Sequence, residues 1–359
     1  MVGLQAGSTL AASRSRVAAP ALALLLLPLF STCAALAQAG EAGTTFQGPD
    51  REQRLVEAAR REAMLTLYSN APTDDNAALL GAFSKKYGIK INLWRASSEE
   101  IRQRALAEAR ARRFEVDFIL NNGPALEALR NEKLLQEVTS PYLADLMGRA
   151  VPSHKEWVGF CLNVLVQAYN TDLVKREELP RTYSDLADPR WKGRLGIEVD
   201  DSDWFAGLLG ELGEANGVKL FRDIAEVNGF SVRKGHTLLA NLVAAGEVPL
   251  ALTVFNYTAE QIRRKGAPLA WFALAPVVSM PNGISIAKAA PHPHAALLFL
   301  DFMLSDAQSI LADRDYVVTS TRVPAPLDRS TLKVLDSAKV LADGDKWRRL
   351  YAGVIASRK

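Results

Sequence analysis

The sequence predicts a two-lobed α/β protein, and three features of the chain lead to that prediction. Short apolar runs alternate with amphipathic stretches, which is the pattern of mostly parallel sheets flanked by helices. After the first forty residues, about 320 remain, which is more than a single hydrophobic core usually holds. The long apolar run 157–169 could pass from one lobe into the other as a strand.

The first 39 residues have the order of a Sec-type signal peptide. Arg14 and Arg16 precede the apolar segment 17–30, and small residues follow, with cleavage expected after Ala37 or Ala39. The apolar segment is short for a membrane span. We therefore expect an exported, periplasmic protein.

Charge and cysteine content exclude several classes of protein. The formal net charge of +3 falls to +1 once the two arginines leave with the signal, so nothing favours nucleic acid or a membrane surface as a partner. Cys161 is then the remaining cysteine, and we expect it to be a small buried residue without a disulfide. We expect no lipid anchor at Cys33, because residues 30–32 lack the usual aliphatic and small residues.

Polar residues follow each of the first three predicted strands. The tips are Ser69-Asn70, the segment 95–97 with Arg95, and Asn121-Asn122. Because the carboxyl ends of parallel strands line a ligand crevice, we expect these tips at one edge. The predicted strands are 65–68, 89–94 and 118–120, and the predicted helices are 52–62, 76–86, 98–112 with Ser97 or Ser98 as N-cap, and 125–131.

The middle of the chain repeats this arrangement. A strand at 195–199 ends in the polar cluster 200–204, and the strand 248–254 ends in Phe255-Asn256-Tyr257. These three residues could equally be packing at a strand end. The other elements predicted here are a strand at 231–234 and helices at 205–212, 218–228, 238–245 and 258–265.

A series of spaced segments resembles the periplasmic solute-binding proteins of ABC importers, and within them the group that contains the ferric-iron-binding proteins. The similarity runs from about residue 55 to about residue 325. The segments are Leu-Tyr-Ser-Asn (67–70), Trp-Val-Gly-Phe (157–160), Ala-Tyr-Asn-Thr (168–171), Leu-Ala-Asp-Pro-Arg-Trp-Lys-Gly-Arg (186–194), Ala-Gly-Glu (245–247), Lys-Gly-Ala-Pro (265–268), Ala-Pro-His-Pro-His-Ala-Ala (289–296) and Asp-Phe-Met-Leu-Ser (301–305).

This resemblance implies the type II periplasmic-binding-protein clamshell, with two crossover strands as a hinge. One lobe would hold residues 40–158 plus 276–359, and the other would hold 159–275. The crossings would fall near 157–165 and 272–280. Two rigid lobes on such a hinge bury a solute by closing, and contacts to both lobes offset the cost of closure.

The resemblance also implies a set of iron ligands that this sequence only partly contains. Iron-binding members commonly use two adjacent tyrosines, aided by a His or Tyr and a carboxylate of the first lobe. Here the tyrosine pair is reduced to Asn256-Tyr257, and residues 70–72 contain no His. Tyr257 is the metal ligand if iron is bound, and we expect free ferric ion to bind weakly or not at all.

The remaining candidates suit a small polar organic molecule or an anion, or chelated iron. Amides and hydroxyls can bond to a solute, Arg95 and Arg233 could clamp an anion, and aromatic residues including Phe255 could form a wall. Such residues also commonly cap helices or remain solvated. A cationic solute becomes equally suitable if Asp201 or Asp203 faces the crevice. The predicted ligand-binding residues are Ser69, Asn70, Asn122, Asp203, Trp204, Arg233, Asn256 and Tyr257, with Asn121 and Ser202 as further donors.

Other features are interpreted as structural. His292 and His294 alternate with prolines at a helix entry, and His236 is interpreted as a local helix cap. We expect the segment 331–359 to pack on the first lobe as an amphipathic helix.

The function expected is solute binding rather than catalysis. Common motifs of nucleophilic, zinc-dependent and phosphate-binding enzymes are absent from the sequence. An exported hydrolase with a carboxylate pair and a ligand-sensing subunit remain the alternatives. We expect a monomer that delivers its ligand to an inner-membrane ABC permease, without a cofactor and without nucleic acid.

Overall fold

The computed structural model describes residues 46–356, which form eleven strands and twelve α-helices. The predicted signal peptide lies outside these residues. In chain order the elements are α1 (Arg51–Glu62), β1 (Met64–Ser69), α2 (Thr73–Tyr87), β2 (Lys90–Arg95), α3 (Ser98–Arg110), β3 (Phe118–Asn122), α4 (Gly123–Asn131), β4 (Val158–Asn170), β5 (Leu195–Glu198), α5 (Ser202–Leu212), α6 (Glu214–Asn228), β6 (Ser231–Arg233), α7 (His236–Ala244), β7 (Leu250–Phe255), α8 (Asn256–Arg264), β8 (Leu269–Phe272), β9 (Val277–Ile286), α9 (Pro293–Leu304), α10 (Asp306–Ala312), β10 (Val317–Val318), β11 (Leu332–Val334), α11 (Ser337–Ala342) and α12 (Gly344–Ile355).

The first lobe is built on a sheet in which β2, β1 and β3 are parallel. Strand β9 extends this sheet antiparallel to β3. Apolar faces of α1, α2 and α9 cover it, with Phe83 and Phe299 in edge contact at 4.9 Å. The predicted strands of this half are confirmed, whereas α2 begins at Thr73, three residues before the predicted start.

Strand β4 belongs to both lobes. Residues 158–164 pair with β9, and residues 165–170 pair with β7 and β8. Every residue of β4 is buried, including Cys161, whose thiol is free as predicted. The long apolar run therefore forms the predicted crossing strand, and β9 runs beside it as the second.

The second lobe continues the sheet from β4 through β7 and β5 to β6. Strands β7, β5 and β6 are parallel to one another, and β4 is antiparallel to β7. The core of this lobe contains Trp191, Trp204, Phe205 and Phe221, packed beneath α5 and α6. Both lobes thus have parallel strands whose carboxyl ends carry the predicted polar tips.

The carboxy-terminal segment crosses from the first lobe to the second, so the prediction that it packs on the first lobe is wrong for its last helix. Strand β11 pairs with β9, and α11 contacts α4 of the first lobe. Helix α12 instead packs on α5, where Tyr351 lies 5.5 Å from Phe205 between ring centroids. Its apolar face completes the second core, which would otherwise be open to water.

No single helix within residues 46–356 has the length and hydrophobicity needed to cross a membrane. The consecutive helices α9 and α10, bent by 48° at their junction, meet the criteria for length and composition only as a pair. Most of the apolar side chains of α9 are buried in the first core.

Candidate functional site

The carboxyl ends of the parallel strands in the two lobes define the candidate site. In the first lobe these ends carry Ser69, Arg95 and Asn122, and the β7 end of the second lobe carries Phe255. Phe255 packs against the cores of both lobes. Across the rim, the pKa of Glu100 is lowered chiefly by hydrogen bonds from Ser97 and further by the positive charge of Lys234 in the second lobe. Phe255, at a strand end of the second lobe, therefore also lies against the first lobe.

Asn70 presents an unpaired amide oxygen at the first-lobe tips. Its Nδ2 donates to Ser98 Oγ at 3.0 Å and to Asn121 Oδ1 at 3.3 Å. Asn121 is itself fixed, because its Nδ2 donates to the Ser98 carbonyl at 3.0 Å. This network orients Asn70 so that its Oδ1 is the free atom, buried and without a hydrogen-bond partner within residues 46–356.

Ser69 and Asn122 have local structural partners. The hydroxyl of Ser69 donates to Asn76 Oδ1 at 2.9 Å, and it also accepts from the amide of Ala71 at 3.2 Å. Asn122 caps α4, because its Oδ1 accepts from the amide of Ala125 at 2.9 Å. These bonds hold the β1–α2 and β3–α4 turns in place.

Asn256 and Tyr257 begin α8 and contact a first-lobe loop. Asn256 Nδ2 donates to the carbonyl of Asp315 at 2.9 Å, which leaves its buried Oδ1 without a partner in the described part of the chain. The ring of Tyr257 stacks on that of Tyr316 with centroids 4.0 Å apart. Tyr316 in turn donates its hydroxyl to Asp75 Oδ2 at 2.5 Å.

Tyr316 is a residue of this site that the sequence analysis missed. It lies far along the chain from Tyr257, and no local pattern indicates their contact. Burial is the main reason that the pKa of both phenols is raised above its ordinary value, and the negative charge of Asp75 adds to it. The two rings are therefore neutral phenols rather than phenolates at physiological pH.

A second cluster at the second-lobe tips consists of Glu198, Asp201 and His236. One potential ligand atom from each lies within 4.8 Å of the others. His236 Nε2 lies 2.9 Å from Asp201 Oδ1, and its ring stacks on Phe255 at 4.0 Å between centroids. The interpretation of His236 as a local cap is wrong, because its partner is thirty-five residues away.

Three predicted ligand-binding residues of the second lobe have other surroundings. Trp204 is 0% exposed and lies in the second core, at 5.7 Å from Phe221 between centroids, rather than on a wall of the cleft. Asp203 is partly buried, and burial first and the charge of Asp201 second raise its pKa. The positive charge of Arg348 on α12 opposes this increase. Arg233 donates to the neighbouring carbonyl of Val232 at 3.1 Å.

The other histidines pair with carboxylates in the first lobe. His292 Nδ1 lies 2.9 Å from Asp117 Oδ2. His294 Nδ1 lies 2.6 Å from Glu62 Oε1 at the start of α9. Pro293 occupies the first turn of α9, so the predicted helix entry is confirmed.

A concavity of about 660 Å³ opens beside the first-lobe tips. Arg95 lines it together with Trp94, Ser97 and Glu100. The guanidinium of Arg95 also donates to the Ala71 carbonyl at 2.8 Å, which ties the β2 tip to the β1 tip.

Comparison with known proteins identifies relatives that are named for iron uptake or for ferric-iron binding. The chain is 26% identical over 293 residues to Iron uptake protein A1 of Synechocystis sp., covering 75% of this chain and 79% of that protein. It is 28% identical over 204 residues to the Fe(3+)-binding periplasmic protein of Serratia marcescens, covering 56% of this chain and 60% of that protein.

Solved structures of the same kind share the fold. Iron-bound HitA from Pseudomonas aeruginosa superposes with a TM-score of 0.71 at 21% identity, over 81% of this chain and 99% of that chain. AfuA from Actinobacillus pleuropneumoniae, solved with fructose-6-phosphate, gives a TM-score of 0.70 at 22% identity, over 81% and 97% of the two chains. These neighbours confirm the two-lobed α/β fold.

The family model for bacterial extracellular solute-binding proteins matches residues 116–342, which is more than half of the chain. The matched region includes the β3 tip of the first lobe, both crossing strands and every element of the second lobe except α12. This chain therefore belongs to the bacterial extracellular solute-binding protein family.

Proposed function

We propose that this protein is the periplasmic solute-binding component of an ABC importer. It captures a small solute between the two lobes and delivers it to an inner-membrane permease, without catalysing a reaction. Two observations support this proposal: membership of the solute-binding family, and the packing of Phe255, at a second-lobe strand end, against the cores of both lobes. We also propose that the mature protein is a monomer.

The observation that carries the choice of solute is the chemistry of the unpaired polar atoms. Asn70 Oδ1 and Asn256 Oδ1 are both buried acceptors without partners within residues 46–356. Their amide groups are oriented by bonds that their Nδ2 atoms donate to fixed oxygens. A buried acceptor without a partner costs free energy, and a ligand that donates hydrogen bonds removes that cost.

The proposed solute is therefore a small polar molecule rich in N–H or O–H donors, or a metal chelate, rather than a simple anion. Carboxylates at the second-lobe tips, Glu198 and Asp201, disfavour an anion further. We propose Asn70, Asn256 and Tyr257 as direct contacts. Ser69 and Asn122 act by holding their turns.

Iron enters this proposal because two of the relatives are named for iron, and we propose a chelate rather than bare ferric ion. Bare ferric ion needs hard anionic oxygen ligands such as phenolates. Tyr257 is 5% exposed and stacked on Tyr316, and its buried phenol keeps its proton. A chelate brings its own anionic ligands and requires only hydrogen bonds and packing from the protein.

We propose further that residues 40–158 and 276 onward belong to the first lobe and residues 159–275 to the second, so that the boundaries fall at the start of β4 and at the start of β9. Residues 159–164 of β4 still pair with β9, and the strand then continues into the sheet of the second lobe. Closure about these strands would bring the Asn70 and Asn256 oxygens onto one guest. Helix α12 is the exception to this division, because it packs on the second lobe.

A thermal-shift screen of the mature protein tests the proposal. The panel is ferric citrate, polyamines, thiamine, organic acids and phosphonates, because a ligand that binds only the native state raises the melting temperature. We expect a shift from a donor-rich compound or from ferric citrate, and a smaller radius of gyration by X-ray scattering with the same compound.

Asn70→Ala should reduce that shift, whereas Asn131→Ala should not. Asn131 lies exposed at the end of α4 and makes its hydrogen bond with Arg130. A response confined to phosphonates or organic acids would contradict the proposed solute chemistry. Turnover of a generic ester, phosphate or glycoside substrate would contradict the proposed absence of catalysis.

A further inference from the structure

We propose that Glu198, Asp201 and His236 form a binding site for a divalent first-row transition-metal ion such as Mn²⁺ or Zn²⁺. All three ligands belong to the second lobe. The site lies within one lobe, at strand ends that also border the proposed cleft, and a metal ion held there goes beyond the proposed capture of a solute.

The sequence brings these residues together through the ends of parallel strands. Glu198 is the last residue of β5, and Asp201 lies in the turn between β5 and α5. His236 is the first residue of α7, directly after the turn that follows β6. Because β5 and β6 are parallel neighbours, their carboxyl ends deliver all three side chains to one place.

The spacing of the cluster suits a metal ion with little rearrangement. His236 Nε2 and Asp201 Oδ1 are 2.9 Å apart. Two ligand atoms at about 2.1 Å from one metal ion, separated by roughly a right angle, are themselves about 3 Å apart. One ligand atom of each residue lies within 4.8 Å of the others, so a modest movement of Glu198 completes a three-ligand set.

Neighbouring groups hold the ligands in position. The carboxylate of Glu198 accepts hydrogen bonds from the amides of Asp200 and Gly235. The ring of His236 is held by stacking on Phe255 at 4.0 Å between centroids. Such outer contacts fix the orientation of metal ligands and raise their affinity.

The charge balance of the cluster calls for a cation. Glu198 and Asp201 are both buried, and His236 supplies at most one positive charge. A divalent ion would neutralise both carboxylates.

A second observation points to a missing ligand. Asp201 is 4% exposed, and its Oδ2 has no hydrogen-bond partner within residues 46–356. A buried carboxylate oxygen without a partner is costly, and coordination of a metal ion removes the cost. Two carboxylates and one imidazole are the ligand types that manganese, iron and zinc accept, with the remaining positions open to water or to a chelating solute.

Titration of the full mature protein with Mn²⁺ tests the site. The protein is first treated with a chelator and desalted, and free Mn²⁺ is then followed by its six-line electron paramagnetic resonance signal, which weakens on binding. We expect one bound ion per chain, displaced by Zn²⁺. Asp201→Asn and His236→Gln should each reduce the affinity at least about tenfold.

His154→Gln is the matched control. His154 also pairs with a buried carboxylate, Glu127, at 3.0 Å, but within residues 46–356 this pair does not belong to a group of three potential ligands. This variant should bind Mn²⁺ like the wild type. Circular dichroism melting of all variants checks that they are folded.

The proposal is overturned if the wild-type protein binds neither Mn²⁺ nor Zn²⁺ at millimolar concentration. Equal binding by the wild type, Asp201→Asn and His236→Gln overturns it too, because the ions would then lie elsewhere on the surface. The outcome is separable from that of the solute screen. Mn²⁺ binding with no response to any solute contradicts only the capture proposal, and the reverse contradicts only the metal site.

Discussion

Asp203 is predicted to destabilise the folded protein at neutral pH. Burial first, and the charge of Asp201 second, raise its pKa to about 6, from about 4 in an unfolded chain. The folded state therefore holds this proton more tightly, and the resulting stabilisation is complete below about pH 4 and lost as the pH rises through about 6. Asp203→Asn should increase the free energy of unfolding by on the order of 2 kcal/mol at pH 7, with little effect at pH 4.

Urea unfolding of both proteins between pH 4 and pH 7 measures this effect. Asp74→Asn is the control, because Asp74 is also an acid in a first helical turn, that of α2, but is exposed. A difference between Asp203→Asn and the wild type that stays constant across this pH range would contradict the assignment.

Tyr257 is predicted not to form a coloured complex with ferric ion. Its phenol is buried, stacked on Tyr316 and protonated, so it cannot act as the phenolate ligand that produces a visible charge-transfer band. Wild type and Tyr257→Phe should give the same visible spectrum with ferric nitrilotriacetate. An intense band that appears in the wild type and vanishes in the variant would show that iron displaces the proton.

Sequence reasoning found the polar strand tips but not their partners. Asn70, Asn122 and Asn256 follow predicted strands, and a strand end is visible in a single sequence. Tyr316 reaches the site by a contact between distant segments, which no local period encodes. Trp204 was misplaced because the helix was predicted from residue 205, whereas α5 begins at Ser202 and turns Trp204 into the core.

Gly123 is predicted to set the contact between α4 and α11. A Cβ atom at Gly123 would lie 2.0 Å from Ser337 Oγ and 2.9 Å from its Cβ, so alanine forces α11 away from α4. Gly123→Ala should lower the free energy of unfolding by about 1–3 kcal/mol, measured by urea denaturation.

Gly81→Ala is the matched control for this substitution. Gly81 lies within α2, and a Cβ there would meet nothing within 4 Å. Alanine in the interior of a helix should stabilise the protein by about 0.5–1 kcal/mol. The packing argument fails if the two variants change stability in the same direction.

Strands were predicted more accurately than helix starts. Strand β4 runs over Val158–Asn170, close to the predicted 157–169, because a long apolar run has few other interpretations. Helix α6 begins at Glu214 rather than at residue 218, since its first turn carries Glu214, Asn216 and Gly217 and lacks apolar periodicity. The first turn of a helix is often polar, and it then resembles a loop in the sequence.

The whole protein is predicted to unfold in a single thermal transition, although it has two cores. Chain segments pass between the lobes at β4, at β9 and between α11 and α12. Arg264 of the second lobe also pairs with Asp315 of the first at 2.7 Å. Differential scanning calorimetry should show one peak whose calorimetric and van't Hoff enthalpies agree.

Tyr351→Ala should separate this peak into two. Tyr351 is buried against Phe205, and its hydroxyl donates to the Glu198 carbonyl at 2.5 Å, so its loss weakens the second core by about 3–5 kcal/mol. Arg349→Ala, on the exposed side of the same helix, should retain the single peak. One unsplit peak at a lower temperature in Tyr351→Ala would mean that the lobes are coupled more tightly than the three crossings require.

Lobe number could be inferred from chain length and from the long crossing strand, whereas the position of the last helix could not. The amphipathic pattern of α12 predicts a buried face but does not say which core lies beneath it. Only the structure places Trp347, Leu350 and Tyr351 on the second core.

The return of the chain to the second lobe also limits how the clamshell can move. Two connecting strands alone would allow the lobes both to twist and to hinge. Strand β11 is paired to β9, and the chain continues through α11 into α12, which adds a third connection between the lobes. We therefore expect hinge bending about these connections, with little torsion of one lobe relative to the other. The guest would then enter between the strand ends of the two lobes, where hydrogen bonds from Ser97 chiefly, and the charge of Lys234 to a smaller extent, lower the pKa of Glu100.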